Sequence, residues 1–166
     1  MVDGGQEADA NSTAFALTSG SIQEGGVIPT QFTCQGDNIS PALSWANPPA
    51  NTQAFAVVFT DVTIDFLHSA IWNIPSDRFE LPEDVEKVFA PTNVLGARQP
   101  NSYAGTRGYA GPCPGNPHTY AFRLHAVNVG TLSGLDQQST RADVVTAIEA
   151  ASIGSVACPS GYISAR

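Results

Sequence analysis

A chain of 166 residues is the size of one domain, and its 42% hydrophobic content can fill a core, since a domain of about 150 residues buries roughly two-thirds of its unfolded surface. With 15 Asp and Glu against 7 Lys and Arg, and a formal net charge of -8, it lacks the clustered cations that nucleic acid or an anionic membrane surface requires. No run of about 18 apolar residues offers a membrane-spanning helix, so stable membrane insertion is not expected.

Residues 1–13 are small and polar and read as a flexible tail, leaving residues 14–166 as a single domain. Phe15-Ala16-Leu17-Thr18-Ser19 opens the domain as a short strand. Gln31-Phe32-Thr33-Cys34 has the composition of another, and Gln35-Gly36-Asp37-Asn38 carries turn chemistry. Ala54-Phe55-Ala56-Val57-Val58-Phe59 is an apolar run of strand length, the pattern of a strand covered on both faces. His68-Ser69-Ala70-Ile71-Trp72-Asn73-Ile74 follows and stops at Pro75. The stretch from Pro75 to Pro117 is rich in Pro, Gly and Asn, and a loop of that length in a compact domain is usually functional or hides short elements. From His118 to Val127 the pattern alternates, with His118, Tyr120, Phe122 and Leu124 on one face and Arg123 and His125 on the other. Thr140 and Asp143 form the signature of a capping box. Val144, Val145, Ile148 and Ala151 then recur at helical spacing, Gly154 is the expected stop, and Ile163 belongs to a last short strand. Gly and Pro make up about a sixth of the chain, below the share that marks low complexity. The whole fits a mainly β, loop-rich protein.

Three strand ends carry chemistry. Asp61 closes the Ala54–Phe59 strand, while His68 and His118 each open a strand directly after a loop. If these strands are neighbours, the three side chains converge at one end of a sheet. There, histidines can donate to an anion and a carboxylate can fix a ring tautomer. Two histidines and an aspartate also have the composition of a facial metal triad. His125, on the opposite face from His118, reads as structural. Cys113, between prolines, admits a nucleophile activated by His118, a buried thiol in a rigid turn, or a bridge to Cys34. Three cysteines allow one disulfide or none.

Four blocks carry a family resemblance: Phe32-Thr33-Cys34-Gln35-Gly36-Asp37-Asn38-Ile39-Ser40-Pro41-Ala42-Leu43-Ser44-Trp45, His68 to Pro75, Tyr109-Ala110-Gly111-Pro112-Cys113-Pro114, and Pro117-His118-Thr119-Tyr120-Ala121-Phe122. In order and spacing they resemble the bacterial, Raf-kinase-inhibitor-like branch of the phosphatidylethanolamine-binding proteins (PEBP), from about Phe15 to the C-terminus. The resemblance implies a PEBP-like antiparallel β-sandwich with a few short helices. It also implies a shallow pocket for phosphate, phosphorylethanolamine or another small anionic ligand, built from Asp61, His68, Pro112, His118 and Tyr120. It brings a non-catalytic binding role with no cofactor. The alternative is an inhibitor acting on a kinase or protease partner through the pocket rim, and a Cys- or metal-dependent enzyme is the third class. The chain departs from the family at Asp61-Val62-Thr63-Ile64-Asp65, where two customary prolines are absent. Thr119 stands in place of a customary Arg and Gln35 in place of an Asp. A more open rim and weaker phosphate affinity are expected from these changes. The polar opening is that expected of a trimmed export product, which favours a periplasmic or secreted location over a cytoplasmic one.

Overall fold

The structure, a computed structural model, describes residues 13–23, 25–113 and 115–158, with the backbone of Tyr162 and Ile163. The tail expected at 1–13 lies outside these residues except for Thr13. Strands β1 (Ala16–Thr18), β2 (Leu43–Ala46) and β5 (Glu80–Leu81) form a three-stranded sheet in the order β1-β2-β5. A five-stranded sheet runs β4 (Phe66–Pro75), β3 (Ala54–Asp61), β6 (His118–Val127) and β7 (Ser152–Ala157), with β8 (Tyr162–Ile163) paired to the start of β6. All pairings are antiparallel, so the mainly β sandwich expected from the sequence is the observed fold.

One face of the larger sheet presents Phe55, Val57, Phe59, Phe122 and Leu124 to Leu17, Leu43, Trp45 and Leu81 of the smaller sheet. The other face, with Ala54, Ala56, Val58 and Ala70, lies under Val144 and Ile148 of helix α1 (Arg141–Ala151). This double cover is why β3 has no polar alternation: neither of its faces meets water. Alternation in β6 places Tyr120, Phe122 and Leu124 in the inter-sheet core, as expected. His125 points to the helical side, where its Nδ1 pairs with the Ser152 hydroxyl at 3.0 Å, and burial pushes its pKa down to about 4.

The capping box of α1 is complete. The Asp143 amide donates to Thr140 Oγ1 at 3.1 Å, and the Thr140 amide donates to Asp143 Oδ2 at 2.9 Å. The helix does not run to Gly154 but ends at Ala151, because β6 captures the chain there: Val127 registers with Ser152, and the Asn128 amide donates to the Ala151 carbonyl. Gly154 serves packing instead, since a Cβ at that position would sit 2.9 Å from Pro49 Cγ. Strand β7 has no legible period in the sequence and was not expected.

The segment Gln31–Cys34 is not a strand. Thr30–Phe32 forms a 3-10 turn after Pro29, and Thr33 closes it by donating its amide and hydroxyl to the Thr30 carbonyl. The long stretch after Pro75 is anchored by buried Gln99. Its Nε2 donates to the Glu86 and Val88 carbonyls at 2.7 and 3.0 Å, and its amide donates to the Phe89 carbonyl. Short bridges pair Trp72 with Arg98 and Asn101 with Arg107.

Candidate functional site

Strand β3 ends in Asp61, β6 opens on His118, and β4 opens on Phe66 and carries His68 two residues further in, so His68 does not open its strand as expected; the three strands are neighbours in the order β4-β3-β6. Asp61 registers with Phe66 on one side and Tyr120 on the other, which sets the carboxylate at the sheet end between the two histidine-bearing strands. His68 needs one more device. Strict alternation back from Ile71 would put it on the Ala70 face, under the helix. The β3–β4 register skips it, however: Phe59 pairs with Ser69 and Thr60 with Leu67. A β-bulge with His68 as its extra residue re-aims the ring. The imidazole consequently packs against Phe59 and Tyr120, with centroids at 5.2 and 5.4 Å.

A cavity of about 160 Å³ opens here, lined by Asp61, His68, His118 and Tyr120, with Tyr103 and Phe66 completing its walls and Ile64 and Cys113 at its edge. Pro112 is buried but does not line it. Its carbonyl accepts from the Cys34 amide at 3.1 Å, so it holds the loop behind the cavity. At about 30 Å³ per water, the space holds roughly five waters, below the 300 Å³ at which drug-sized sites begin. It suits a head group, not acyl chains.

Each histidine is tied through Nδ1 to an oxygen that can only accept. His118 Nδ1 lies 2.5 Å from Asp61 Oδ2, and His68 Nδ1 lies 3.1 Å from the Ala110 carbonyl. Both Nδ1 atoms therefore carry hydrogen, and Nε2 is the nitrogen whose role changes with protonation: an acceptor in the neutral ring, a donor in the cation. Burial lowers the pKa of His68, partly opposed by its bond to Ala110 and by the Asp61 charge, while Arg141 adds to the lowering. Asp61 is 2% exposed. Such a carboxylate is costly to bury without partners, and its second oxygen accepts from the Thr63 amide at 3.1 Å. Burial and the neighbouring Asp61 charge raise the pKa of the Tyr120 hydroxyl, so it stays a neutral donor.

The 62–65 turn, where the prolines are missing, is latched rather than open. The Val62 amide donates to the Thr119 carbonyl and the Thr119 amide to Thr63 Oγ1, both at 2.8 Å. Asp65 takes a left-handed conformation, φ 51°, to close it. The turn exposes Ile64 and Phe66 at 58% and 39%, which gives the mouth an apolar lip.

Tyr103 and Phe66 were not singled out in the sequence. The Tyr103 hydroxyl donates to the Gly111 carbonyl at 2.9 Å, and its ring lies 4.3 Å from that of His68. Tyr103 sits in a loop without period, so the only signal available was an aromatic residue in a long Gly/Pro-rich segment.

Cys113 is bridged to Cys34, which removes the thiolate that a nucleophilic role requires and resolves the three readings of this residue. Cys158 is buried and outside the bridge. Among the described residues no group of three or more His, Cys, Asp or Glu is placed to hold a metal ion. The facial triad is therefore not assembled: one Asp61 oxygen already faces His118.

Comparison with known proteins agrees with this architecture. A family model described as phosphatidylethanolamine-binding protein matches residues 18–159. The UPF0098 protein of Methanothermobacter thermautotrophicus is 35% identical over 142 residues, which cover 83% of this chain and 91% of that protein. The UPF0098 protein YbcL of Escherichia coli is 32% identical over 130 residues, covering 71% of each. The crystal structure of E. coli YbcL, described as a new member of the mammalian PEBP family, matches with a TM-score of 0.82 at 28% identity, over 92% of this chain and 99% of that one. The homolog CT736 from Chlamydia trachomatis matches at 0.77 and 27% identity, over 93% of this chain and 100% of its own.

Proposed function

Because the chain belongs to the phosphatidylethanolamine-binding protein family, we propose that it binds a small phosphate-bearing or similar anionic head group, without chemistry, in the Asp61–His68–His118–Tyr120 cavity. The observation that carries this reading is the pair of histidines held through Nδ1, each with Nε2 left to answer a ligand. Asp61 fixes the His118 tautomer, with hydrogen on Nδ1 and Nε2 left for the ligand. Tyr120 adds a neutral hydroxyl to the cavity wall beside Asp61. No Lys or Arg lines this cavity among the described residues, so positive charge must come from protonated imidazole.

Binding is therefore linked to proton uptake. His68 has a lowered pKa, so near neutrality its Nε2 is an acceptor that opposes a fully ionised anion. Below its pKa it becomes a donor. Affinity is expected to rise as pH falls from 8 to 5, with the rise weighted toward the acid end because burial holds His68 below the ordinary histidine value. Sulfate keeps its charge across the range, so its titration isolates the protein's protons, and phosphate run in parallel adds the ligand's own. A sulfate affinity that stays flat between pH 8 and 5 contradicts the reading.

The Cys34–Cys113 bridge supports the periplasmic or secreted location, because structural disulfides persist in oxidising compartments. With its sulfur in that bridge, Cys113 supports the non-catalytic role over a thiol enzyme.

A further inference from the structure

Beside the histidine pocket, across the ring of Phe66, lies a larger cavity of about 750 Å³. Phe66 lines both spaces. The second runs over Leu67 and Asn101 to the start of α1, and Arg107 and Arg141 line it. Neither arginine is neutralised: the one ion pair among the described residues is His118–Asp61. Backbone carbonyls hold both instead. Arg141 Nε donates to the Leu67 carbonyl at 3.1 Å, one residue before His68, and its Nη1 donates to the Asn101 carbonyl at 3.4 Å. Arg107 donates through both terminal nitrogens to the Gln137 carbonyl at 3.2 Å, with its guanidinium over the Phe89 ring. No carboxylate is among the lining residues. The nearby ones are occupied by backbone amides: Asp136 accepts from Gln138 and Ser139, and Asp143 accepts from Thr140.

In a chain of net charge -8, two arginines share one cavity that no carboxylate lines. Burial makes Arg141 pay for its place, and its charge reaches His68 across the shared wall. Guanidinium groups fixed by carbonyls keep the planar fork that matches phosphate or carboxylate oxygens.

We propose that this cavity is a second anion subsite, and that the ligand is a small molecule with a phosphate at one end and a second phosphate or carboxylate at the other, laid across Phe66. The inference rests on the reading of the histidine pocket as the phosphate end. Titration of the full chain with propyl phosphate and with propanediol, hexanediol and octanediol bisphosphates tests it. At least one bisphosphate should bind wild type about tenfold or more tighter than propyl phosphate, the gain expected when a second contact becomes intramolecular. The double variant Arg107→Gln/Arg141→Gln should erase that gain, so that each bisphosphate binds the variant no tighter than propyl phosphate binds it. No gain in wild type, or a gain that survives both substitutions, overturns the proposal.

Arg141 also ties α1 to β4, so a readout on the unaltered protein is needed. The Nε–H resonances of Arg107 and Arg141 should shift on adding whichever of the three bisphosphates binds tightest and not on adding propyl phosphate; unmoved resonances overturn the proposal. Absence of propyl phosphate binding to wild type sinks the histidine-pocket reading alone. Bisphosphate binding that still depends on the two arginines would then support the second subsite on its own, and bisphosphate binding indifferent to them would overturn it too.

Discussion

Gly111→Ala is expected to lower stability by about 4 kcal/mol or more, in the exceptional range for one substitution, as measured by urea unfolding. A Cβ at this position would sit 2.0 Å from the Phe32 carbonyl oxygen and 2.9 Å from Asn38 Oδ1. The Phe32 carbonyl cannot retreat, because it also accepts from the buried Tyr109 hydroxyl at 2.7 Å. Nor can Asn38 swing away freely: its side chain accepts from the Gly111 amide at 2.7 Å, and its carbonyl accepts from Lys87 Nζ at 2.6 Å. The 110–112 backbone and the 32–38 turn thus touch with no room for a methyl group. Gly115→Ala is the control, with nothing within 4 Å of the added carbon, and should change stability by no more than about 0.5 kcal/mol. A Gly111→Ala protein as stable as that control would show that the two segments do not meet in this way.

The second large effect comes from the disulfide that staples the same two segments. Cys34 and Cys113 are 79 positions apart, with Cα atoms at 5.4 Å. Closing a loop of that length costs the unfolded chain about 4.5 kcal/mol on an entropic model, within the 2–5 kcal/mol usually lost when a native bridge is removed. Cys34→Ala/Cys113→Ala should therefore unfold at a clearly lower urea concentration, a loss of about 2–5 kcal/mol, with a slope no shallower than that of wild type because the unfolded chain is freed. Cys113 also edges the cavity, so phosphate affinity should fall while the variant is still folded. An unchanged midpoint would mean that Tyr109, Asn38 and Pro112 hold the turn without the bridge.

Much of this arrangement is legible in the sequence, and the rest is hidden for identifiable reasons. Asp61 and His118 stand at strand ends and His68 stands two residues inside the start of β4, close enough to the ends that their convergence follows from adjacency of β4, β3 and β6. The face on which His68 emerges does not follow, because a one-residue bulge reverses it and leaves no mark in the local pattern. Tyr103 and Phe66 were missed because long-range contacts place them: a backbone bond from the Tyr103 amide to the His68 carbonyl, and the two-sided exposure of Phe66 at a turn. The capping box of α1 is local chemistry and reads directly. The helix stop is tertiary, imposed by pairing to β6, and the glycine expected to end the helix packs on Pro49 instead. Six apolar residues in unbroken sequence, Ala54 to Phe59, could not say which neighbour covers which face of β3; the two sheets and the helix together decide it.

The central claim is that His118, held by Asp61, presents a donor to an anionic head group. Calorimetric titration of wild type and His118→Ala with phosphorylethanolamine and with inorganic phosphate at pH 6 tests it most directly. Wild type should bind, and the variant should lose binding beyond detection. It forfeits the donor and removes the imidazole that pairs with the buried Asp61 carboxylate, so the anion meets an acidic oxygen in place of an N–H. Equal binding by both proteins, or binding by neither, would contradict it.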